Sequence, residues 1–594
     1  MINEKKNSFL MIVKKLYPII FRAAPVLFIL FNITAIAHGV SFVIITIYTQ
    51  KFFDSITNLL AEKTEITNVI TAGLLLGVAV VFSQLLNGFH NFLYTPVDTK
   101  IEGKLRFLIH QKISSLYPIS FEEPETLDSI NKAKNGMSNS AELIFQVTNI
   151  FTFYIPYCIF LSLYLFNLNK ILAISLFLIF IPLLVTQFIR SITYSKLEDD
   201  IAPIRREYEY YEKCIYDKEY FKETRLLNAT NYFISLYKDS LILLGKKIFK
   251  TEARTISFEL CMRIITLLGY LGVLILLTET LIAGDIGVGA FAAVFSSVSE
   301  MFGMLEEIVC RHIGDMSKNL GSVANFVNFL ELPEKKQDDK LLRVSNGIHI
   351  NDISFIYPGS NVNAISNITL DIKCGETIAI VGENGSGKTT LAKLIIGIFN
   401  PTIGNIYYDD CNIKNYSKNA VYSSITSVFQ NYQKYKLSLE DNITISDLSY
   451  NNSNCSMLDE ILKVTEINSL NDIYTKGLKT ILSKEFDGID ISMGQWQKVA
   501  IARGLYKKHN IIVLDEPTSS IDPVEEVKTY EKFINLSKNK TAIIITHRLG
   551  SAKRADRIVV LEKGKIIEQG THDALLKNGQ KYAKMFRAQA KWYS

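Results

Sequence analysis

The 594-residue chain is 48% hydrophobic and 21% charged, with mean hydropathy +0.17 and a formal net charge of +5. That length allows two or more domains, and 64 basic against 59 acidic residues give no argument for a nucleic-acid partner. Seven cysteines (Cys158, Cys214, Cys261, Cys310, Cys374, Cys411, Cys455) are scattered with no C-x-x-C spacing, which suggests neither a disulfide framework nor a zinc site.

At the start of the chain, Lys5, Lys6, Lys14, Lys15 and Arg22 stand amid apolar residues. These charges straddle the apolar stretch and no small-residue cleavage site follows. The pattern predicts an interfacial elbow helix over residues 1–22 in place of a signal peptide. Apolar runs of about 20 residues cross a bilayer. The sequence offers six, centred in residues 24–48, 66–86, 143–166, 171–192, 258–281 and 286–309. Polar residues interrupt several of them, Asn32 and His38 in the first, as suits helices that face a cavity. Gly73 and Gly77 have the spacing of a close helix-packing motif. Glu300 falls near the middle of the sixth run, where a carboxylate either meets a cationic cargo or hydrogen-bonds another helix. His38 and Glu300 are the candidate cavity residues.

The basic residues of the connecting segments set an orientation. Lys100, Lys104, Arg106, Lys112, Lys132 and Lys134 lie between the second and third runs. Arg205, Arg206, Lys213, Lys218, Lys222 and Arg225 lie between the fourth and fifth. The other connections carry Lys51 and Lys63, Lys170, and none. The positive-inside rule then places both termini in the cytosol and the chain in the cytoplasmic membrane. A charged linker over residues 331–345 separates this half, residues 23–330, from residues 346–594.

The second half carries the chemistry. Ile353 to Pro358 includes Tyr357, an aromatic at a strand end. Thr377 to Val381 reads as a buried strand, followed by Gly382-Glu383-Asn384-Gly385-Ser386-Gly387-Lys388-Thr389, which fits the phosphate-binding pattern G-x-x-x-x-G-K-[ST]. Glycines let the backbone N–H groups curl around a phosphate, Lys388 reaches the β- and γ-phosphates, and the Thr389 hydroxyl suits Mg²⁺. Thr390 opens an amphipathic helix whose N-terminus faces the phosphates. Gln430 follows the short run Ile425 to Phe429. Ile491-Ser492-Met493-Gly494-Gln495 precedes a helical run through Leu505. Ile511 to Leu514 is an apolar strand ending in Asp515 and Glu516, and catalytic groups in parallel sheets sit at such strand ends. Asp515 is placed to hold Mg²⁺ and Glu516 to act as general base on an attacking water. His547 follows a further strand, Thr541 to Thr546.

Taken in order, these motifs resemble the ATPase domain of ABC transporters, with Ile491 to Gln495 similar to the L-S-G-G-Q signature of that family. The resemblance implies an α-helical membrane domain of six transmembrane helices with long cytosolic extensions, followed by an α/β P-loop ABC ATPase domain. It implies that Tyr357 stacks on adenine, that Gln430 senses Mg²⁺, and that Ser519-Ser520-Ile521-Asp522 crosses a dimer seam. It also implies that Ser492, Gly494 and Gln495 contact ATP held by the opposite subunit, with His547 as the switch histidine. Such shared sites imply a homodimer. Coupling helices are implied near residues 118–128 and 215–227. Two residues depart from the signature: Ile491 is conservative, and Met493 sets a long side chain beside the phosphate. The segment Phe429 to Ile443, and Gly494 to Lys498, resemble those of lantibiotic and related peptide exporters. The expectation is ATP-driven export of a modified antimicrobial peptide or another amphipathic small molecule. The alternatives are a multidrug or lipid exporter and an ATPase that regulates without moving cargo.

Overall fold

Apolar runs extended by charged, strongly helical sequence produce helices far longer than a globular domain needs. α1 covers Phe9–Ala23, α2 Pro25–Leu60, α3 Ile66–Ser114, α4 Pro124–Asn149 and α5 Ile155–Leu168. α6 covers Lys170–Leu178, α7 Ile181–Tyr216, α8 Phe221–Leu226, α9 Thr230–Ile282, α10 Val288–Glu306 and α11 Gly314–Leu330. The 53 residues of α9 make a rod of about 80 Å at 1.5 Å per residue, well beyond the ~30 Å apolar core of a bilayer. The computed structural model describes residues 9–179, 181–332, 344–448, 455–467, 473–474, 476–516 and 540–590. The chain divides into two units, residues 1–115 with 128–332 and residues 116–127 with 333–594.

Among the described residues, Pro25–Leu60, Ile66–Ser114, Pro124–Leu168 and Thr230–Ile282 are long and apolar enough to cross a membrane, and Val288–Met304 is a shorter apolar helix. The remaining run, expected at 171–192, is divided between α6 and α7. Pro182 explains the restart: it has no N–H to give and its ring favours the first helical turn. α4 and α5 join through a π-helical turn at Ile150–Tyr154, and α10 and α11 through another at Glu307–Ile313. The two turns meet where the Tyr154 hydroxyl lies 3.1 Å from His312 Nε2. In α1, Ile12, Leu16 and Ile20 are buried, four residues apart on one face.

The expected contacts of the apolar half differ in detail. Gly73 approaches Phe52, but a side chain at Gly77 would meet nothing within 4 Å, so the glycine pair does not seat a neighbouring helix within this unit. His38 packs its ring against Phe42 and Phe153, with centroids 5.2 and 5.0 Å away. Glu300 is exposed on α10, and no hydrogen bond or ion pair joins it to His38 among the described residues. The Asp54 carboxylate accepts the Gly289 N–H at 3.0 Å and so caps the first turn of α10.

Two sheets form the second unit. β1 (Gly347–Ile356), β2 (Asn363–Lys373), β4 (Ile403–Tyr408) and β5 (Cys411–Asn412) make an antiparallel sheet in the order β2-β1-β4-β5. β3 (Thr377–Gly382), β6 (Ile425–Val428), β7 (Ile511–Asp515), β8 (Thr541–Ile545), β9 (Arg557–Glu562) and β10 (Lys565–Gly570) make the other, in the order β10-β9-β3-β8-β7-β6. β3, β6, β7, β8 and β9 run parallel, and β7 and β8 are buried at every position, as continuous apolar runs require. The stretch 116–127, which follows α3 and includes the first turn of α4, belongs to this unit. Ile119 packs on the main core, Glu122 lies 3.9 Å from Lys393, and Lys418 sits over the Tyr117 ring.

Gly136 sits at a close helix contact in the first unit. A Cβ there would lie 1.9 Å from the Ser322 carbonyl oxygen of α11, beside the 2.8 Å bond from Asn139 to Ser322. Alanine would gain about 1 kcal/mol of helix propensity, which is less than the ~1–3 kcal/mol that overpacking costs. Gly136→Ala should therefore lower the melting temperature of the solubilised protein, by thermal unfolding; an unchanged or raised value would refute the close packing.

Candidate functional site

Parallel pairing aligns the carboxyl ends of β3, β6, β7 and β8, and each is followed by a candidate residue. Ile380 pairs with Ile545, Asp515 with Ile545, and Val428 with Leu514. The loops carrying Gly382–Thr389, Gln430, Asp515–Glu516 and His547 therefore leave the sheet along one edge. The result is a cavity of about 620 Å³, lined by Tyr357, Ala364, Asn384, Gly385, Gly387, Lys388, Thr389, Thr390, Gln430, Glu516 and His547. This volume suits a small-molecule ligand.

The glycine positions of the loop are conformationally required. Gly385 and Gly387 have φ of 76° and 101°, and a Cβ on Gly387 would stand 2.7 Å from the Ala364 carbonyl oxygen. Lys388, 6% exposed, donates to the carbonyls of Gly382 and Glu383 at 3.0 and 2.9 Å. Burial pushes its ammonium below the usual lysine range, while Glu516 and Asp515 act in the opposite direction. Ser386 is buried, with no hydrogen-bond partner for its hydroxyl among the described residues, and Glu383 is paired outward to Lys581 at 2.6 Å.

The Thr389 hydroxyl donates to Asp515 Oδ1 at 3.2 Å. Asp515 is 2% exposed, and burial raises its carboxyl above the ordinary range, opposed by the Thr389 bond. Glu516 adopts a left-handed backbone, φ 48°, held by its N–H to the Ile545 carbonyl at 3.0 Å. Its Oε2 accepts from Gln430 Nε2 at 3.0 Å and lies 3.2 Å from His547 Nδ1. Tyr357 and Thr390 share a hydrogen bond of 3.1 Å through their hydroxyls, and the Tyr357 ring meets Phe355 and Phe399 edge-on. A carboxylate oriented by two side chains at the mouth of a phosphate-binding loop can accept a proton from water. The hard oxygen donors of Thr389 and Asp515 fit Mg²⁺, and the glycine cradle fits a polyphosphate.

Ser492, Gly494 and Gln495 do not line this cavity. They form the start of the helix Met493–Tyr506, where Ser492 and Gln495 make a reciprocal capping box. Trp496, Val499, Ala502 and Tyr506 bury the other face of that helix. Met493 is half exposed; its carbonyl accepts from the Tyr432 hydroxyl at 2.8 Å and its sulfur lies 2.9 Å from Lys434 Nζ. Tyr432 and Lys434 follow Gln430 closely, a connection that the motifs alone do not reveal. Arg503 adds to it with bonds to Asn442 O and Oδ1 at 2.8 and 2.9 Å and to Gln433 O at 3.2 Å. The seam segment expected at Ser519–Asp522 lies outside the described residues.

Residues 365–519 match the ABC transporter family. The chain is 30% identical over 553 residues to the subtilin transport ATP-binding protein SpaT of Bacillus subtilis, spanning 91% of this chain and 88% of that protein. The chain belongs to the ABC transporter family. The nisin transport ATP-binding protein NisT of Lactococcus lactis is 27% identical over 90% of this ABC transporter and 89% of its own length. An ATP-dependent lipid A-core flippase of Photorhabdus laumondii is 32% identical, but over only 52% of each chain. A solved bacterial Atm1-family ABC exporter with ATP bound shares the fold, with TM-score 0.81 and 18% identity over 94% of this chain and 98% of that one. This ABC transporter is thus a multi-pass membrane exporter that couples ATP hydrolysis to transport.

The buried carboxylate yields a test. The folded state holds the Asp515 proton more tightly than the unfolded chain does. Its contribution to stability is therefore lost as pH rises past the ordinary carboxylate value of about 3.9, and remains unfavourable at neutral pH. Asp515→Asn keeps an oxygen for Thr389 and removes the charge. At pH 7 without nucleotide it should raise the melting temperature of the unit that carries the site. A lower melting temperature would contradict this account of the site.

Proposed function

We propose that this chain exports a ribosomally made, modified peptide of the lantibiotic type as a homodimer in the cytoplasmic membrane. The observation that carries the reading is coverage. Similarity to the subtilin and nisin transport proteins runs through both halves of the chain, whereas similarity to the flippase spans about half of it. Lipid export is the second reading, favoured by the higher identity over that shorter stretch. Six membrane crossings, with both termini cytosolic, are supported by the clustering of lysine and arginine in the two long connections.

In the nucleotide site, the P-loop backbone and Lys388 bind the phosphates, Tyr357 stacks on the base, and Thr389, Asp515 and Gln430 would hold Mg²⁺. Mg²⁺ held there would supply neutralisation of phosphate charge. Glu516 takes the proton of the attacking water, kept in position by Gln430 and His547. Ser492, Gly494 and Gln495 of each protomer complete the site of the other. Their position away from the cavity of their own chain, with Ser492 exposed at a capped helix N-terminus, supports this division. Closure on ATP turns the cargo cavity outward, and hydrolysis resets it.

Glu516→Gln preserves the side-chain length and an oxygen near Gln430 but removes the base. Steady-state hydrolysis should fall by about 10²–10⁴-fold with ATP retained on the protein, measured by phosphate release and bound-nucleotide analysis. Undiminished hydrolysis would remove Glu516 from that role. For cargo, inside-out vesicles should accumulate a lantibiotic-type peptide in an ATP-dependent manner and not a lipid probe. ATP-dependent movement of lipid alone would replace the first reading with the second.

A further inference from the structure

The last described helix, Lys581–Ala590, reaches the nucleotide site at both ends. At its start, Lys581 Nζ pairs with Glu383 of the P-loop at 2.6 Å and with Glu562 at 2.8 Å. The Lys581 backbone N–H is held by Glu568 Oε1 at 2.6 Å. Near its end, the Gln589 amide spans the backbone around His547. Its Nε2 donates to the His547 carbonyl, and its Oε1 accepts the Leu549 N–H at 2.9 Å. Exchanging the amide O and N would break both bonds, so the hydrogen-bond pattern fixes their assignment. Between these two attachments Tyr582 is fully buried in a core that includes Leu549 and Val560, with Met585 and Phe586 packed against it, which sets the helix on the sheet.

His547 needs such support. It lies between the end of β8 and the short helix Leu549–Ala552, where the strand ladder no longer orders the backbone. Its Nδ1 must nevertheless stay 3.2 Å from Glu516. Holding the carbonyl of one residue and the N–H two residues on fixes the intervening peptide planes, and with them the direction in which the imidazole leaves the chain.

We infer that Gln589 is a positioning residue for ATP hydrolysis: it clamps the backbone of His547, and the C-terminal helix becomes a strut on which turnover depends. The inference rests on the role proposed above for His547. Gln589→Met retains length and bulk but loses both bonds, and Gln589→Glu retains only the acceptor for Leu549. In the full-length solubilised transporter, Gln589→Met should lower kcat by roughly 3- to 10-fold with KM for ATP within about twofold. Hydrogen exchange should rise in the peptide containing His547 and Leu549. Gln589→Glu should fall between Gln589→Met and the parent in exchange. Added to His547→Ala, Gln589→Met should cause no further loss of kcat. A parental kcat in Gln589→Met, or an undiminished further loss in the His547→Ala background, would overturn the inference. If His547→Ala itself hydrolysed at the parental rate, the role of His547 would fall and this inference with it. An impaired His547→Ala beside a parental Gln589→Met would remove this inference alone.

Discussion

The parallel pairing of β3, β8, β7 and β6 is the constraint on which the nucleotide site depends. Residues as distant in sequence as Lys388, Gln430, Glu516 and His547 line one cavity because four strands end together, and the ladder fixes how far each projects. Each loop then adds one local device. Gly387 permits a backbone turn that no other residue enters without strain, and Glu516 accepts a left-handed backbone that the Ile545 carbonyl stabilises. The carboxylate of Glu516 is where three of the loops converge, through Gln430 and His547.

This arrangement conflicts with stability. Asp515 and Lys388 are both buried, and burial disfavours the charged form of each. Among the described residues, neither makes the direct ion pair that a purely structural design would supply. Asp515 takes a hydroxyl and Lys388 takes carbonyls, so both charges remain able to turn toward a polyphosphate and its cation. Sites that keep buried charge incompletely neutralised are arranged for a ligand at the expense of the empty fold.

What the sequence made legible follows from how local each signal is. The P-loop, Asp515–Glu516 and His547 were readable because turn geometry and strand ends demand particular residues at fixed offsets. Long helices were readable from apolar runs, although Pro182 divides one of them and the glycine pair at Gly73 and Gly77 seats no helix within its unit. Gln589 and Lys581 carried no such signal. Each acts through one or two contacts across long sequence separations, and an isolated glutamine or lysine near a chain end looks like any solvated residue. Met493, which the signature pattern marked as an intrusion, is held at the surface by Tyr432 and Lys434, contacts that depend on tertiary packing.

Those contacts also bear on how the site communicates. Starting from Gln430, which donates to the Glu516 carboxylate, the next few residues attach repeatedly to the helix Met493–Tyr506. Tyr432 bonds the Met493 carbonyl, Gln433 receives Arg503, and Tyr435 lies under the same guanidinium at 4.8 Å. A chain segment attached at three points over four residues ties the loop after Gln430 to the helix that Ser492 caps. The stretch 116–127 enters the same unit from another direction, with Glu122 beside Lys393 on the P-loop helix and Ile119 in the core. Residues 116–127 therefore bear directly on the helix Lys388–Ile395, which begins two residues before the Thr390 start that the sequence suggests.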